Sequence, residues 1–317
     1  MVRYSYRKLN EELEEVRILA LLPGSFDDRL RVRISHVTFI PPDEGPKQTV
    51  SLEQIRKTLP TEWGAYETIE GHIVFENDGT ESTSWTHPDP SFGQSRYNTL
   101  SYRPHIDFEP QYEALSYTWS PEDFSNVYVE DPMAPSSVGS AESTLSTIPI
   151  HRNLDLALRH LRLTEKARSL WIDALCIDQN NTPERSKQVH RMSNIYKLAR
   201  RVVVWLGQED EDSGVALEAL QTLGAEVVVT REFADFRSPE AVQLDWFRPE
   251  LEMSYDKRTW DAIHRLVSRR WFGRLWIWQR YNLLIRMRLC SVVQTRFLGL
   301  CCGALLFAYA TKMCYLA

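Results

Sequence analysis

Residues 170–206 read LWIDALCIDQNNTPERSKQVHRMSNIYKLARRVVVWL, and this stretch decides the fold. It begins with a short apolar run, Leu170–Ile172, which stops at Asp173. It ends with a second apolar run, 202–206, which is closed by Gly207. A strand, a crossover helix and a wholly apolar second strand form a βαβ unit, which implies parallel strands in a sheet that is covered on both faces.

The residues between the two strands predict one amphipathic helix over 183–200. Thr182 suits the N-cap and Pro183 the first helical position, because a proline there leaves no N–H unpaired. Apolar residues then recur at helical spacing and predict a buried stripe of Val189, Met192, Ile195, Tyr196 and Ala199. A second helix is predicted upstream over 154–161, with Asn153 as its N-cap.

The composition bounds the class of protein. A chain of 317 residues that is 43% hydrophobic and 25% charged has an ordinary globular composition, enough for one large domain or two small ones. The net charge of −6 argues against a generally basic surface, so no nucleic-acid partner is expected. Its 5 cysteines lack paired spacing, which favours a reducing, cytoplasmic location over a disulfide framework. His151 and His190 have no further ligand at metal-binding spacing, so no metal site is expected.

Several segments fall outside the α/β pattern. Residues 41–110 and 131–147 are rich in proline, serine and other turn formers and predict insertions or loops. The apolar segment 297–310 is shorter than the roughly 20 residues that a membrane span needs. We therefore expect no membrane partner, and the first residues contain no apolar core of a secretory signal.

Three segments occur in an informative order. They are YEALSYTWS at 112–120, LWIDALCIDQ and VVVWLG within 170–207, and RRWFGRLWIWQ at 269–279. In content and order they resemble the core of the HET domain, the heterokaryon-incompatibility module of filamentous fungi. The stretch EVRILALLPGSFDDRLRVRISHVTF, residues 15–39, resembles the lead-in strands of the same family.

The resemblance implies a division of the chain. It predicts lead-in strands at 1–40, a loop-rich insertion at 41–110, the HET domain core at 111–279 and an atypical tail at 280–317. The chain departs from the family at Ser120, where glycine is usual, and at Arg280, where glutamate is usual. The tail is also what a truncated or mis-spliced gene would give, so a truncated, inactive fragment is one of the alternatives.

The resemblance also implies a function. HET domains are regarded as similar to TIR domains, so it implies a TIR-like or flavodoxin-like parallel sheet that is flanked by helices. It implies nonself recognition and programmed cell death through self-association or through another incompatibility protein, with no cofactor required. Some TIR domains cleave NAD with one essential glutamate. By that analogy NAD is a possible substrate, the chain is a possible hydrolase, and Glu184 is the candidate catalytic carboxylate.

Polar candidates collect where the first strand ends, since ligands of parallel sheets bind beyond the carboxyl ends of the strands. Asp173 and Asp178 either bind ribose hydroxyls or cap the turn. Gln179 lies in the same turn, and Gln188 lies one helical turn beyond Glu184 on the same face. The alternative for Glu184 is a helix-start residue with no other role.

Aromatic and sulfur side chains give weaker candidates. Trp119 and Trp205 end strands and either stack on a nucleotide base or pack in the core, the core being favoured. Cys176 has no assigned base and is a weak nucleophile. The chain contains no glycine-rich dinucleotide motif, no Walker motif and no nucleophile-elbow motif, so the usual nucleotide and hydrolase signatures are missing.

Overall fold

The computed structural model describes residues 2–41, 50–68, 71–97, 108–119, 123–130, 145–232, 234–242, 255–273 and 287–289. The strands are β1 Val2–Arg3, β2 Glu15–Leu21, β3 Arg31–Thr38, β4 Trp63–Glu67, β5 Ile73–Asn77, β6 Ser82–Ser84, β7 Glu113–Ser116, β8 Phe124–Val129, β9 Ser146–His151, β10 Arg168–Trp171, β11 Arg201–Val204, β12 Val227–Val229, β13 Asp235–Arg237 and β14 Met287–Leu289. The helices are α1 Leu52–Arg56, α2 Arg152–Leu161, α3 Asp173–Cys176, α4 Thr182–Leu198, α5 Ser213–Glu226 and α6 Lys257–Val267.

The chain divides into two compact units. The first consists of Met1–Pro42, Pro104–Gln208 and Leu289–Phe297, and the second of Asp43–Arg103, Glu209–Arg288 and Leu298–Ala317. The first unit contains both the lead-in strands and the stretch 170–206. The HET domain core that the sequence predicts at 111–279 stays a prediction, and residues 209–279 lie in the second unit.

The first unit is built on a large mixed sheet with helices beside it. Its strands follow the order β1–β9–β8–β3–β2–β10–β7–β11. Both β10 and β11 run parallel to β7, which lies between them, so the predicted parallel relation of the two apolar strands is confirmed. The sheet is not parallel throughout, because β2 and β3 form an antiparallel pair and β2 joins β10 in the antiparallel direction.

Most residues of the three parallel strands are buried. Ala114 in β7 stands opposite Trp171 on one side and Val202 on the other, and all three side chains are buried. At the amino ends of the strands, the Glu113 carboxylate accepts bonds from Arg168 Nε at 2.6 Å and Arg201 Nε at 2.5 Å. One carboxylate therefore ties the starts of β7, β10 and β11 together.

Helix α4 buries the predicted stripe only toward its C-terminal end, and Met192 is half-buried. Ile195, Tyr196 and Ala199 are buried as predicted, but Val189 is 44% exposed and Gln188 is buried in its place. The inward stripe at the start of the helix is therefore polar, because Glu184 and Gln188 are one helical turn apart. Under this turn, the buried Arg17 guanidinium binds the Glu184 carboxylate.

The second unit has its own sheet and core. Within residues 41–110, the segment that the sequence predicts to be a loop-rich insertion, β4, β5 and β6 form an antiparallel sheet. Ile55 of α1, Ala65, Phe75 and Tyr97 are buried together against this sheet. Strands of three to five residues are too short to show a clear period in the sequence, which is why the pattern favoured loops.

Ion pairs at the start of α5 connect it to α6 within the same unit. Asp210 accepts bonds from Ser213 Oγ at 2.6 Å and from Arg269 Nη2 at 2.8 Å. Asp212 pairs with Arg258 at 3.0 Å and also with Arg265. The first turn of α5 is therefore held by side chains that come from α6 and the turn after it.

Parts of the sequence-based predictions lie outside the described residues. These are the segment 131–144, the apolar stretch 297–310 and the tail 280–317 except for β14. Within the part of the chain that the structure describes, no helix combines the length and the apolar character that a membrane crossing requires.

Candidate functional site

The carboxyl ends of β7, β10 and β11 share one edge of the sheet, because the three strands are parallel. Trp119 follows β7, Asp173 follows β10 and Trp205 follows β11. Three of the candidate residues therefore follow strands at this end of the sheet, and ligand binding there stays a prediction.

The turn after β10 is organised by its own aspartates. Asp173 Oδ1 accepts a bond from the Ala174 N–H at 2.7 Å, and the Asp173 carbonyl accepts one from Gln179 Nε2 at 2.8 Å. Asp178 Oδ1 accepts a bond from the Asn180 N–H at 3.1 Å. These bonds agree with the alternative in which Asp173 and Asp178 cap the turn. Ligand binding by the two aspartates and Gln179 stays a prediction.

Helix α4 begins one residue earlier than predicted. Asn181 is the N-cap, and its Oδ1 accepts a bond from the Glu184 N–H at 3.2 Å. Thr182 is the first helical residue, and Pro183 still lies in the first turn. This start places Glu184 at the third helical position, where its side chain reaches back over the turn that precedes the helix.

The Glu184 carboxylate is bound inside the first unit. Arg17 Nη1 lies 2.6 Å from Oε1, and Arg17 Nη2 lies 3.2 Å from Oε2, so the pair is bidentate. The Asp178 N–H donates a further bond to Oε1 at 3.0 Å. The side chains of Arg17 and Glu184 are 0% and 9% exposed, respectively. Both oxygens of the carboxylate thus have protein donors.

Arg17 is the residue that sequence reasoning missed. Beyond Glu184, its Nη1 donates to the Cys176 carbonyl at 3.1 Å, and its Nη2 donates to the Arg7 carbonyl at 2.6 Å. Its guanidinium also lies 4.9 Å from the centre of the Tyr6 ring. A signal was present in the sequence, because an arginine inside the apolar strand EVRILAL needs a buried partner.

Cys176 is not placed to act as a nucleophile. It is buried, and burial raises the pKa of its thiol to about 12. The neighbouring Arg17 charge opposes that rise without cancelling it. The thiol is therefore protonated at neutral pH, and only a thiolate attacks efficiently.

Asn153 joins the ends of β7 and β11. Its Nδ2 donates to the Thr118 carbonyl at 2.7 Å, and its Oδ1 accepts from Trp205 Nε1 at 2.8 Å. Asn153 is therefore not the N-cap that the sequence predicts. Helix α2 starts after His151, whose side chain makes no capping bond. Trp205 is buried and its indole N–H has a hydrogen-bond partner. This agrees with the alternative in which Trp205 packs in the core.

Trp119 lies in a different environment, in a group of three rings that we call the aromatic patch: Trp119, Phe124 and His151. Trp119 is 44% exposed and Phe124 is 69% exposed. The His151 ring centre is 5.9 Å from that of Trp119 and 4.6 Å from that of Phe124. From the sequence, Trp119 is a candidate for stacking and His151 is considered only as a metal ligand; their grouping with Phe124 is not predicted, because Phe124 comes from β8 and His151 from the end of β9.

The candidate residues thus form two sets. Asp173, Asp178, Gln179 and Glu184 are joined by bonds through the turn between β10 and α4. Trp119 and Trp205 follow the neighbouring strands β7 and β11, on either side of the Asn153 bridge. Gln188 is buried one turn along α4. No group of three or more histidine, cysteine or acidic side chains in the described ranges could hold a metal ion.

Comparison with known proteins identifies relatives of the chain. A family model described as heterokaryon incompatibility protein (HET) matches residues 112–280. Heterokaryon incompatibility protein 6, OR allele, of Neurospora crassa is 30% identical over 217 residues. That alignment covers 62% of this chain and 31% of the relative, so the chain spans about a third of the relative's length. No solved structure matches the chain.

Proposed function

The chain belongs to the heterokaryon incompatibility family, and from that premise we propose that it acts in fungal nonself recognition and in the cell death that follows, as a module that signals by self-association. The family match spans 112–280 and so includes β7, β10, β11 and α4. Since the chain covers 31% of its relative, the proposal concerns this module and not every activity of a longer protein.

The strand order supports a TIR-like, flavodoxin-like core. Among the parallel strands, β7 comes first in the chain, β10 second and β11 third, and in space they lie in the order second, first, third. Flavodoxin-like sheets begin with this order. The antiparallel strand β2 on the outer side of β10 limits the likeness to these three strands.

The hydrogen bonds of Glu184 bear on the alternative that the chain cleaves NAD. Cleavage of NAD would require a carboxylate that faces the ribose while positive charge develops there. Glu184 instead gives one oxygen to Arg17 and the Asp178 amide, and its other oxygen to Arg17. A carboxylate that buried donors already satisfy argues against turnover by this residue.

A purified sample tests both alternatives at once. We expect sedimentation velocity over a micromolar concentration series to give an average mass that rises with concentration, because weak self-association is driven by mass action. The same samples, incubated with NAD, should leave its concentration unchanged by chromatography. A chain that stays monomeric at every concentration would contradict self-association and favour another incompatibility protein as the partner. Steady loss of NAD would instead establish the hydrolase.

A cellular assay tests the biological role. Inducible expression in a filamentous fungus should raise the fraction of cells that take up a vital dye. The control is Ile195→Asp, because a charge at this fully buried position of α4 should unfold the domain. Equal dye uptake with the chain, with the control and without induction would contradict the death-signalling proposal.

A further inference from the structure

We propose that the aromatic patch is the surface through which two copies of this chain pair, an inference that rests on the proposed self-association. Trp119 and Phe124 expose 44% and 69% of their surface, and both rings contact the His151 imidazole. Large aromatic side chains are the usual anchors of protein interfaces, because they bury much area at little cost in conformational entropy.

The charges beside the patch suit a second copy of the same chain. Asp123 precedes Phe124, Arg152 follows His151, and Arg152 Nη1 lies 3.9 Å from Asp123 Oδ2. Both side chains are exposed, so this pair stabilises a single copy very little. Two-fold symmetry would bring Arg152 of each copy against Asp123 of the other. A patch with one charge of each sign is therefore complementary to itself.

The outer edge of strand β9, which ends at His151, favours pairing of two copies through side chains over the addition of a strand. The Tyr4 N–H donates to the Thr147 carbonyl at 2.9 Å, so the backbone of Thr147 faces the outer edge of β9. By the alternation of a strand, the backbone of Pro149 faces the same way. Proline has no N–H to offer to an added strand, so pairing along this edge beyond Thr147 is blocked.

The area of the patch predicts a weak pair. A full aromatic side chain offers roughly 150–250 Å², so the exposed parts of Trp119 and Phe124 amount to about 250 Å² per copy. Stable complexes bury about 800 Å² on each partner. The rings alone therefore predict weak association, which suits a signal that depends on local concentration.

Sedimentation equilibrium on the full chain and its variants tests the surface. We expect Phe124→Lys to weaken self-association by about tenfold or more, because a charge replaces a central apolar anchor. The matched control is Val189→Lys, which replaces another exposed apolar residue on the outer face of α4. It should leave the dissociation constant within about twofold, since single exposed apolar residues are ordinary surface features.

Charge reversal provides the second test. Arg152→Glu and Asp123→Lys should each weaken self-association, because each places like charges across the two-fold axis. An equal mixture of the two variants should recover association, since both contacts then join opposite charges. Asp123 has a φ of 57°, a left-handed conformation that lysine adopts less readily than aspartate, so Asp123→Lys should lose a little stability. Melting curves of both variants confirm that they are folded.

The outcomes separate this surface from the proposed function. Association of the wild type that Phe124→Lys leaves unchanged overturns the surface and leaves self-association standing. A mixture of the charge variants that does not recover association also overturns the two-fold pairing. A wild type that remains monomeric at every concentration overturns both proposals.

Discussion

Arg17 and Glu184 form a bidentate buried ion pair across 167 residues of chain, with Nη1–Oε1 and Nη2–Oε2 distances of 2.6 and 3.2 Å. The pair joins β2, a lead-in strand, to the first turn of α4 in the family core. Arg17 also holds the Cys176 and Arg7 carbonyls. The lead-in strands are therefore part of the structure that positions Glu184.

The first prediction follows from the burial of this pair. Glu184→Gln keeps the size of the side chain but leaves the Arg17 guanidinium without its counter-charge, so the free energy of unfolding should fall by about 3 kcal/mol. Urea unfolding followed by circular dichroism measures the change. A loss of any NAD cleavage in this variant would implicate Glu184 in chemistry only in samples shown to be folded.

An exposed pair on the same helix is the control for that prediction. Lys187 Nζ lies 2.6 Å from Glu11 Oε2, and both side chains are largely exposed. Glu11→Gln should change the free energy of unfolding by no more than about 0.5 kcal/mol, because water screens the pair. Equal costs for Glu11→Gln and Glu184→Gln would contradict the argument from burial.

The second prediction tests which residues of α4 pack inward. Ile195→Ala should cost about 2–5 kcal/mol, because it leaves a cavity in the core. Val189→Ala should stay within about 0.5 kcal/mol, because Val189 is exposed. Thermal and urea unfolding of both variants measure the difference. A Val189→Ala cost as large as that of Ile195→Ala would mean that Val189 is buried, as the sequence predicts.

The strands and the helix of the 170–206 stretch could be predicted because their signals are local. Apolar runs, a proline in the first helical turn and helical spacing all lie within one short window. The predicted bounds differ by a few residues, since β10 is Arg168–Trp171 and α4 is Thr182–Leu198. The N-cap is Asn181 and not the predicted Thr182, because both residue types suit that role.

The site could not be predicted because its contacts are long-range. Gln188 faces inward near a helix start that bonds Arg17, and Arg17 belongs to a strand far away in the sequence. An apolar stripe alone favours Val189 over Gln188. In the same way, Asn153 looks like a helix cap until β7 and β11 bring Thr118 and Trp205 within reach of its amide.

The third prediction concerns Cys176. Because burial raises the pKa of its thiol to about 12, the native chain should resist alkylation at this residue at neutral pH. Peptide mapping by mass spectrometry after iodoacetamide treatment measures the modification. The same treatment in urea is the control and should modify Cys176 fully. Native alkylation at the rate seen in urea would show that the thiol is accessible.

The fourth prediction concerns acid stability in the second unit. The hydrogen bond from Ser213 and the bond and charge of Arg269 lower the pKa of Asp210 from 3.8 to about 2. A lowered carboxylate pKa contributes stability that is complete above the unfolded value of 3.8 and is lost as the pH falls through about 2. Asp210→Asn should therefore lower the melting temperature slightly at neutral pH and flatten its decline between about pH 4 and pH 2.

Ser213→Ala separates the hydrogen bond from the charge in that prediction. It removes the Oγ–H donor, which is the largest cause of the shift, and leaves Arg269 in place. Carbon-13 NMR of the Asp210 carboxyl should then give a pKa between the wild-type value and 3.8. The Asp210 side chain is half exposed, so the stability effect should be small even though the pKa shift is large. A wild-type Asp210 that titrates near 3.8 would mean that the bonds to Ser213 and Arg269 do not hold the start of α5 in solution.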